Sequence, residues 1–109
     1  YLAEEAADAL EAPSDCLGFA LNIYTVDIRT DGPWECTEGT ITVGCYYPGR
    51  RNVAALGPGV YPFVNGSTVT VSEESYRHIL RHEIAHALLD CSRVPSDLHH
   101  STMRRAGVF

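Results

Sequence analysis

The chain has 109 residues, 45% of them hydrophobic, which suffices for one compact domain but not for two separate cores. Its 8 basic and 14 acidic residues give a formal net charge of −6, which argues against nucleic-acid binding, since that depends on many basic contacts to phosphate. No apolar run approaches the roughly 20 residues that cross a bilayer, so we expect one monomeric domain over residues 1–109 that binds neither nucleic acid nor membrane.

The first part of the chain predicts a helix followed by a strand. From Leu2 to Leu10, apolar residues recur at helical spacing with acidic residues between them, and Pro13 ends this helix. The run from Phe19 to Ile28 is rich in β-branched and aromatic residues that largely alternate, which predicts a strand. A turn signal, Asp31-Gly32-Pro33, closes this strand.

The middle of the chain predicts a second strand and a loop. The strand covers Thr40 to Tyr47, which is again rich in β-branched and aromatic residues. The following segment, Pro48 to Pro58, contains several glycines and prolines and is predicted to be mostly loop. Within it, Val53 to Leu56 could form a short extended piece.

A hairpin and a long helix complete the predicted fold. Asn65-Gly66 joins the β-rich runs Val60 to Val64 and Thr68 to Val71 and is a strong hairpin signal. The segment Thr70 to Glu73 resembles a capping box, so a helix should run from Glu73 to Asp90. Its core side is predicted to carry Tyr76, Leu80, Ile84, Ala87 and Leu88. The expected fold class is therefore α+β, a small mixed sheet of about four strands with an N-terminal helix and this second helix.

The predicted second helix carries a metal-binding pattern. His82 and His86 are four residues apart, so their imidazoles stand one turn apart on one helix face and can bind one tetrahedral metal ion. Glu83 lies about 100° further around the helix and can reach a water molecule on that ion without being a ligand. A zinc ion acidifies such a water, and the carboxylate can accept its proton and pass it to the leaving amine. The spacing thus predicts a zinc-dependent peptidase with Glu83 as general base.

The segment His82-Glu83-Ile84-Ala85-His86-Ala87-Leu88 resembles the active-site helix of the zincin metallopeptidases. Ser101-Thr102-Met103 resembles the Met-turn of their metzincin branch, in which Met103 would form an apolar floor beneath the metal. The resemblance implies a zincin-like fold, one catalytic zinc ion and endopeptidase activity on a peptide or protein substrate. It also implies an exposed sheet edge for the substrate, supplied by Arg51 to Val60 or by Val60 to Val64.

The third metal ligand departs from the metzincin pattern. That pattern expects a glycine and a third histidine where this chain has Leu89 and Ser92, and no glutamate follows Glu83. The candidates elsewhere in the chain are His99, His100, Cys91, Asp90 and Asp97. We expect His100 to be the ligand because it directly precedes the predicted Met-turn, with His99 next in order. One of the two adjacent histidines should be a bystander, since both cannot easily point at one ion.

Four cysteines in a small domain favour disulfides and an oxidising compartment, which predicts a secreted or extracytoplasmic protein. Cys36 and Cys45 flank a short stretch that could close like a hairpin, which leaves Cys16 to pair with Cys91. Four reduced core thiols are the alternative interpretation.

Two other functions are compatible with the sequence. One is a zinc-stabilised binding or regulatory domain, closed by a fourth protein ligand such as Cys91, although such a site has no use for Glu83. The other is a hydrolase with the same metal chemistry that acts on a substrate other than protein.

Overall fold

The computed structural model describes residues 2–108, which form a small α+β domain of four α-helices and seven short strands. The helices are α1 (Leu2–Leu10), α2 (Ser14–Ile23), α3 (Glu73–Cys91) and α4 (His99–Ala106). The strands are β1 (Thr25–Arg29), β2 (Trp34–Thr37), β3 (Thr40–Thr42), β4 (Gly44–Tyr47), β5 (Asn52–Leu56), β6 (Gly59–Pro62) and β7 (Thr68–Val71). Within this range no helix combines the length and apolar character that spanning a bilayer requires.

The strands form one three-stranded sheet and two separate hairpins. The sheet has the order β1-β5-β4, with β5 parallel to β1 and antiparallel to β4. Its central strand carries the consecutive buried residues 53–56, a pattern typical of a strand that is covered on both faces. The hairpins are β2–β3 and β6–β7. The expected single sheet of about four strands is therefore divided into three smaller sheets.

Helix α3 begins and ends as predicted to within one residue, and its N-cap is Ser72. The Ser72 hydroxyl accepts a hydrogen bond from the Ser75 backbone N–H at 3.1 Å, so Thr70 is not the capping residue. The helix packs against α1, α2, α4, β4, β5 and β7. Leu88, which is fully buried, packs with Ala6 and Ala7 of α1 and Met103 of α4 in the main apolar cluster. Leu80 packs on the central strand in a second cluster. This helix therefore connects the parts of the core.

The prediction of a strand from Phe19 to Ile28 is wrong over its first half, which belongs to α2. Leu17 and Ala20 lie three residues apart on this helix and both pack against the main apolar cluster. Burial of that helical face outweighs the local preference of β-branched and aromatic residues for a strand. The strand itself is confined to β1.

Two predictions in the middle of the chain are also corrected. The predicted strand Thr40 to Tyr47 is interrupted at Val43, where the Thr42 hydroxyl donates to the Gly44 carbonyl at 2.6 Å, and its two halves belong to different sheets. The predicted loop Pro48 to Pro58 contains β5, the central strand, at the position where a short extended piece was expected. The glycine and proline residues lie at the two ends of this segment, outside the strand. The strand between them is too short to show the alternation of apolar and polar residues that identifies a strand.

The predicted hairpin and both predicted disulfides are present. Strands β6 and β7 pair antiparallel, and Asn65 and Gly66 in their connection have φ values of 68° and 75°, the left-handed conformation that Asn-Gly favours. Cys16 bonds to Cys91, and Cys36 bonds to Cys45. Two disulfides are consistent with an extracellular protein.

Removing the two disulfides separately should destabilise the domain unequally, because they close loops with sequence separations of 75 and 9. In the chain-entropy account, the C16A/C91A pair should lower the free energy of unfolding by about 4 kcal/mol and the C36A/C45A pair by about 2.5 kcal/mol. Urea unfolding followed by circular dichroism measures both losses under the same conditions. A larger loss from C36A/C45A would contradict this expectation.

Candidate metal centre

Three histidines from two helices converge at one point. His82 and His86 stand one turn apart on α3, and His100 comes from the first turn of α4. One ring nitrogen of each lies within 4.8 Å of the corresponding nitrogens of the other two. The Nε2 atoms of His86 and His100 are 3.2 Å apart. These three histidines could hold a metal ion.

The approach of α4 to α3 depends on how α3 ends. Arg93 adopts a left-handed conformation with φ of 64°, and the Val94 N–H donates to the Leu89 carbonyl at 2.9 Å while the Arg93 N–H donates to the Asp90 carbonyl at 3.1 Å. This pair of bonds is a Schellman motif, which reverses the chain and packs Val94 on the main apolar cluster. The chain then returns through a 3-10 turn at Ser96–Leu98 and enters α4.

The segment that resembles a Met-turn is helical. Ser101, Thr102 and Met103 lie within α4, so the expected turn is not formed there. Met103 is fully buried among Leu88, Leu89 and other members of the main apolar cluster. Its packing against α3 fixes the rotation of α4, and this rotation directs His100 toward the α3 histidines.

His99 is not a member of the three-histidine group, but it contacts one of its members, His86, at the ring nitrogen Nδ1. Its side chain is buried, its Nδ1 lies 2.9 Å from His86 Nδ1, and its Nε2 lies 2.9 Å from the Val94 carbonyl oxygen. His100, and not His99, thus belongs to the group that could hold a metal ion, which agrees with the expectation that only one of the two adjacent histidines can point at one ion. His99 contacts His86 instead.

The other candidates for the third ligand have different partners or positions. Cys91 is bonded to Cys16. The Asp90 carboxylate accepts a hydrogen bond from the Tyr46 hydroxyl at 2.6 Å. Asp97 is exposed in the 3-10 turn before α4 and is absent from the described groups that could hold a metal.

Glu83 is buried beside the three histidines with only 7% of its surface exposed. Burial raises the pKa of this carboxyl to about 7. The backbone of Gly44 on β4 lies so close that a Cβ atom there would be 2.7 Å from Glu83 Oε2 and 2.5 Å from Ile79 Cγ2. Glycine at position 44 thus provides the space in which the Glu83 side chain lies.

The protein environment favours the neutral form of the His82 and His86 imidazoles. Burial, together with the neighbouring imidazoles, lowers the pKa of His82 to about 4 and that of His86 to about 3. Neutral imidazole is the form that binds a metal ion. The surroundings of both histidines therefore suit a ligand role at neutral pH.

Tyr46 on β4 forms a wall of the site that sequence reasoning missed. Its ring is nearly parallel to the His86 imidazole, with an interplanar angle of 7° and centroids 5.8 Å apart. Its hydroxyl donates to Asp90 and is 2.9 Å from the hydroxyl of Tyr24, and burial, followed by these two contacts, raises its pKa. A tyrosine 40 positions before His86 gives no local signal of this contact, which only the sheet creates.

A cavity of about 630 Å³ opens over the histidines. Its walls come from α3, β4, the β2–β3 hairpin and the start of α4.

Strand β4 is an edge strand, since among residues 2–108 it pairs with β5 alone. Of the two alternatives for the exposed edge, Arg51 to Val60 is excluded over its β5 part, because β5 is paired on both sides.

Comparisons with protein-family models, with curated proteins and with solved structures found no significant match to this chain. The donor atoms of the site are ring nitrogens of three histidines, which zinc accepts as ligands. Tetrahedral zinc with Zn–N bonds of 2.0 to 2.1 Å separates its nitrogen ligands by about 3.4 Å. The separation of 3.2 Å between the Nε2 atoms of His86 and His100 fits this geometry.

If His100 is the third ligand, H100A should lower the affinity for zinc by more than about 100-fold, because losing a ligand costs more than losing a partner of a ligand. A competition titration with a chromophoric zinc chelator measures this affinity. The control is R105A, which truncates an exposed side chain on the same helix as His100 and should leave the affinity unchanged. Equal affinities of H100A and the unaltered protein would remove His100 from the site.

G44A should destabilise the domain, since the added methyl group would overlap Ile79 and Glu83. The expected loss is about 1–3 kcal/mol in the free energy of unfolding, as for other overpacked sites. Urea unfolding provides the measurement. G49A is the control, because no atom lies within 4 Å of a Cβ at Gly49 and its effect should stay within about 0.5 kcal/mol. Similar losses from both variants would contradict the close contact at Gly44.

Proposed function

We propose that this protein is a zinc-dependent endopeptidase in which His82, His86 and His100 hold one zinc ion and Glu83 is the general base. The observation that carries the proposal is the convergence of the three imidazoles beside a buried carboxyl group, along one wall of the same cavity. The carboxyl group and two of the imidazoles come from residues 82–86 of α3, and the third imidazole comes from α4. The proposal agrees with the resemblance of this pattern to the zincin active-site helix.

The number of ligands supports a catalytic site over a closed structural one. Structural zinc sites have four protein ligands, whereas catalytic sites have three and leave a position for water or substrate. Among the described residues, the group that could hold a metal has three members. Cys91, the sharpest candidate for a fourth ligand, is bonded to Cys16 instead.

A bound zinc ion would lower the pKa of a water molecule and polarise the carbonyl group of the scissile peptide bond. Glu83 would accept a proton from the attacking water, hold it on its carboxyl group and deliver it to the leaving amine. The burial of this carboxyl group disfavours its charged form, which favours its taking up the proton and holding it until the leaving amine accepts it.

Edge strand β4 gives the proposed substrate a place to bind. The strand borders the cavity through Gly44, Cys45 and Tyr46, which brings the Gly44 backbone next to Glu83 and the Tyr46 ring next to His86. An extended peptide can add to such an edge through main-chain hydrogen bonds. The β2–β3 hairpin, attached to this strand by the Cys36–Cys45 disulfide, would form the facing wall.

E83Q should abolish peptide cleavage but leave zinc binding intact, because glutamine keeps the size of the side chain and cannot accept the proton. The expected loss is about 10²- to 10⁴-fold, the contribution of a general base. Cleavage is measured with a library of quenched fluorescent peptides, and zinc content by atomic absorption. E74Q, at an exposed glutamate in the first turn of the same helix, is the control and should cleave normally. Undiminished cleavage by E83Q would refute the mechanism.

A further inference from the structure

We propose that His99 is a positioning residue that holds His86 in the tautomer with a hydrogen on Nδ1, so that the Nε2 lone pair faces the metal site. The inference rests on the metal centre of the proposed function and assigns a role to a histidine outside the group of three. Its basis is a chain of two hydrogen bonds that begins at a backbone carbonyl and ends at His86.

The first bond fixes the tautomer of His99. The Val94 carbonyl oxygen lies 2.9 Å from His99 Nε2 and can only accept a hydrogen bond. Nε2 of His99 must therefore carry a hydrogen atom. In the neutral ring, Nδ1 of His99 is then unprotonated and can only accept.

The second bond, between His99 and His86, determines which nitrogen of His86 carries the hydrogen atom. The Nδ1 atoms of His99 and His86 are 2.9 Å apart, a hydrogen-bond distance that requires one donor and one acceptor. Since His99 Nδ1 accepts, His86 Nδ1 donates. The lone pair of the neutral His86 ring is then on Nε2, the atom that lies 3.2 Å from His100 Nε2. The bond made by one ring nitrogen in this way determines which nitrogen remains for a metal.

The surroundings hold this chain of bonds rigidly. His99 is only 3% exposed, and its acceptor Val94 belongs to the Schellman motif that ends α3. The Tyr46 ring lies nearly parallel to one face of the His86 imidazole and restricts the tilt of that imidazole. Because His99 and His100 are consecutive, one turn of α4 contacts both sides of the His86 ring, with His99 at Nδ1 and His100 at Nε2. The end of α3 and the start of α4 are thus joined through one ligand.

The tautomer can be measured on the unaltered, metal-free protein by two-bond ¹H–¹⁵N correlation spectra of the imidazole rings. We expect His86 with hydrogen on Nδ1 and His99 with hydrogen on Nε2. A His86 ring with its hydrogen on Nε2 would overturn the inference. This readout needs no variant that might fail to fold, and it depends on neither zinc affinity nor peptide cleavage.

Zinc affinity of two His99 variants provides the second test. H99F removes both hydrogen bonds and should weaken zinc binding by about 10- to 100-fold, the usual cost of losing a partner of a ligand. H99N should recover most of the affinity, because its side-chain carbonyl can accept from His86 Nδ1. R105A, at an exposed position of the same helix as His99, is the control and should bind zinc normally.

The outcomes separate this inference from the proposed function. Zinc affinity in H99F equal to that of the unaltered protein, or equal weakening in H99F and H99N, would overturn the positioning role even if peptides are cleaved. Zinc binding that responds to His99 as expected, in a protein that cleaves no peptide, would support the positioning role and refute the peptidase.

Discussion

The packing of α3 into the core is the constraint on which the rest of the molecule depends. This helix contacts three other helices and three strands, and its buried residues Leu80 and Leu88 fix its rotation about its own axis. Successive residues of a helix are about 100° apart, so one rotation determines the direction of every side chain on it. With Leu80 and Leu88 inside, His82 and His86 border the cavity and Glu83 lies against β4. The chemistry of the site is therefore a consequence of core packing.

The second half of the site depends on the way the chain returns after α3. The Cys16–Cys91 disulfide attaches the last residue of this helix to α2, and the Schellman motif then reverses the chain direction. Met103 and Val108 bury α4 against Leu88 and Leu89. If His100 is the third ligand, as proposed, its place on such an anchored helix is defined before any metal binds, which lowers the ordering cost of forming the site.

Features that depend on neighbouring residues could be predicted from the sequence, and features that depend on distant ones could not. The period of α3, the Asn65-Gly66 hairpin and the closure of Cys36 with Cys45 are local, and all three are present. The sequence predicts a strand over part of α2, and it predicts mostly loop with only a possible extended piece around β5, because burial against other elements decides both structures. In the site, the spacing of His82 and His86 is local, whereas the Tyr46 contact requires the sheet. Which of His99 and His100 turns toward His82 and His86 depends on the rotation of α4, which the sequence does not reveal.

Two adjacent histidines need not compete when they lie in a helix. In an extended segment, side chains at consecutive positions point to opposite faces, so only one of them could approach a given metal ion. In α4 they diverge by about 100°, and an imidazole placed between them can be contacted by both. His86 occupies that place, with His99 at one ring nitrogen and His100 at the other. The helical conformation of the segment that resembles a Met-turn therefore has a physical consequence: it brings His100, the proposed third ligand, and His99, the proposed positioning residue of His86, from the same turn of the chain.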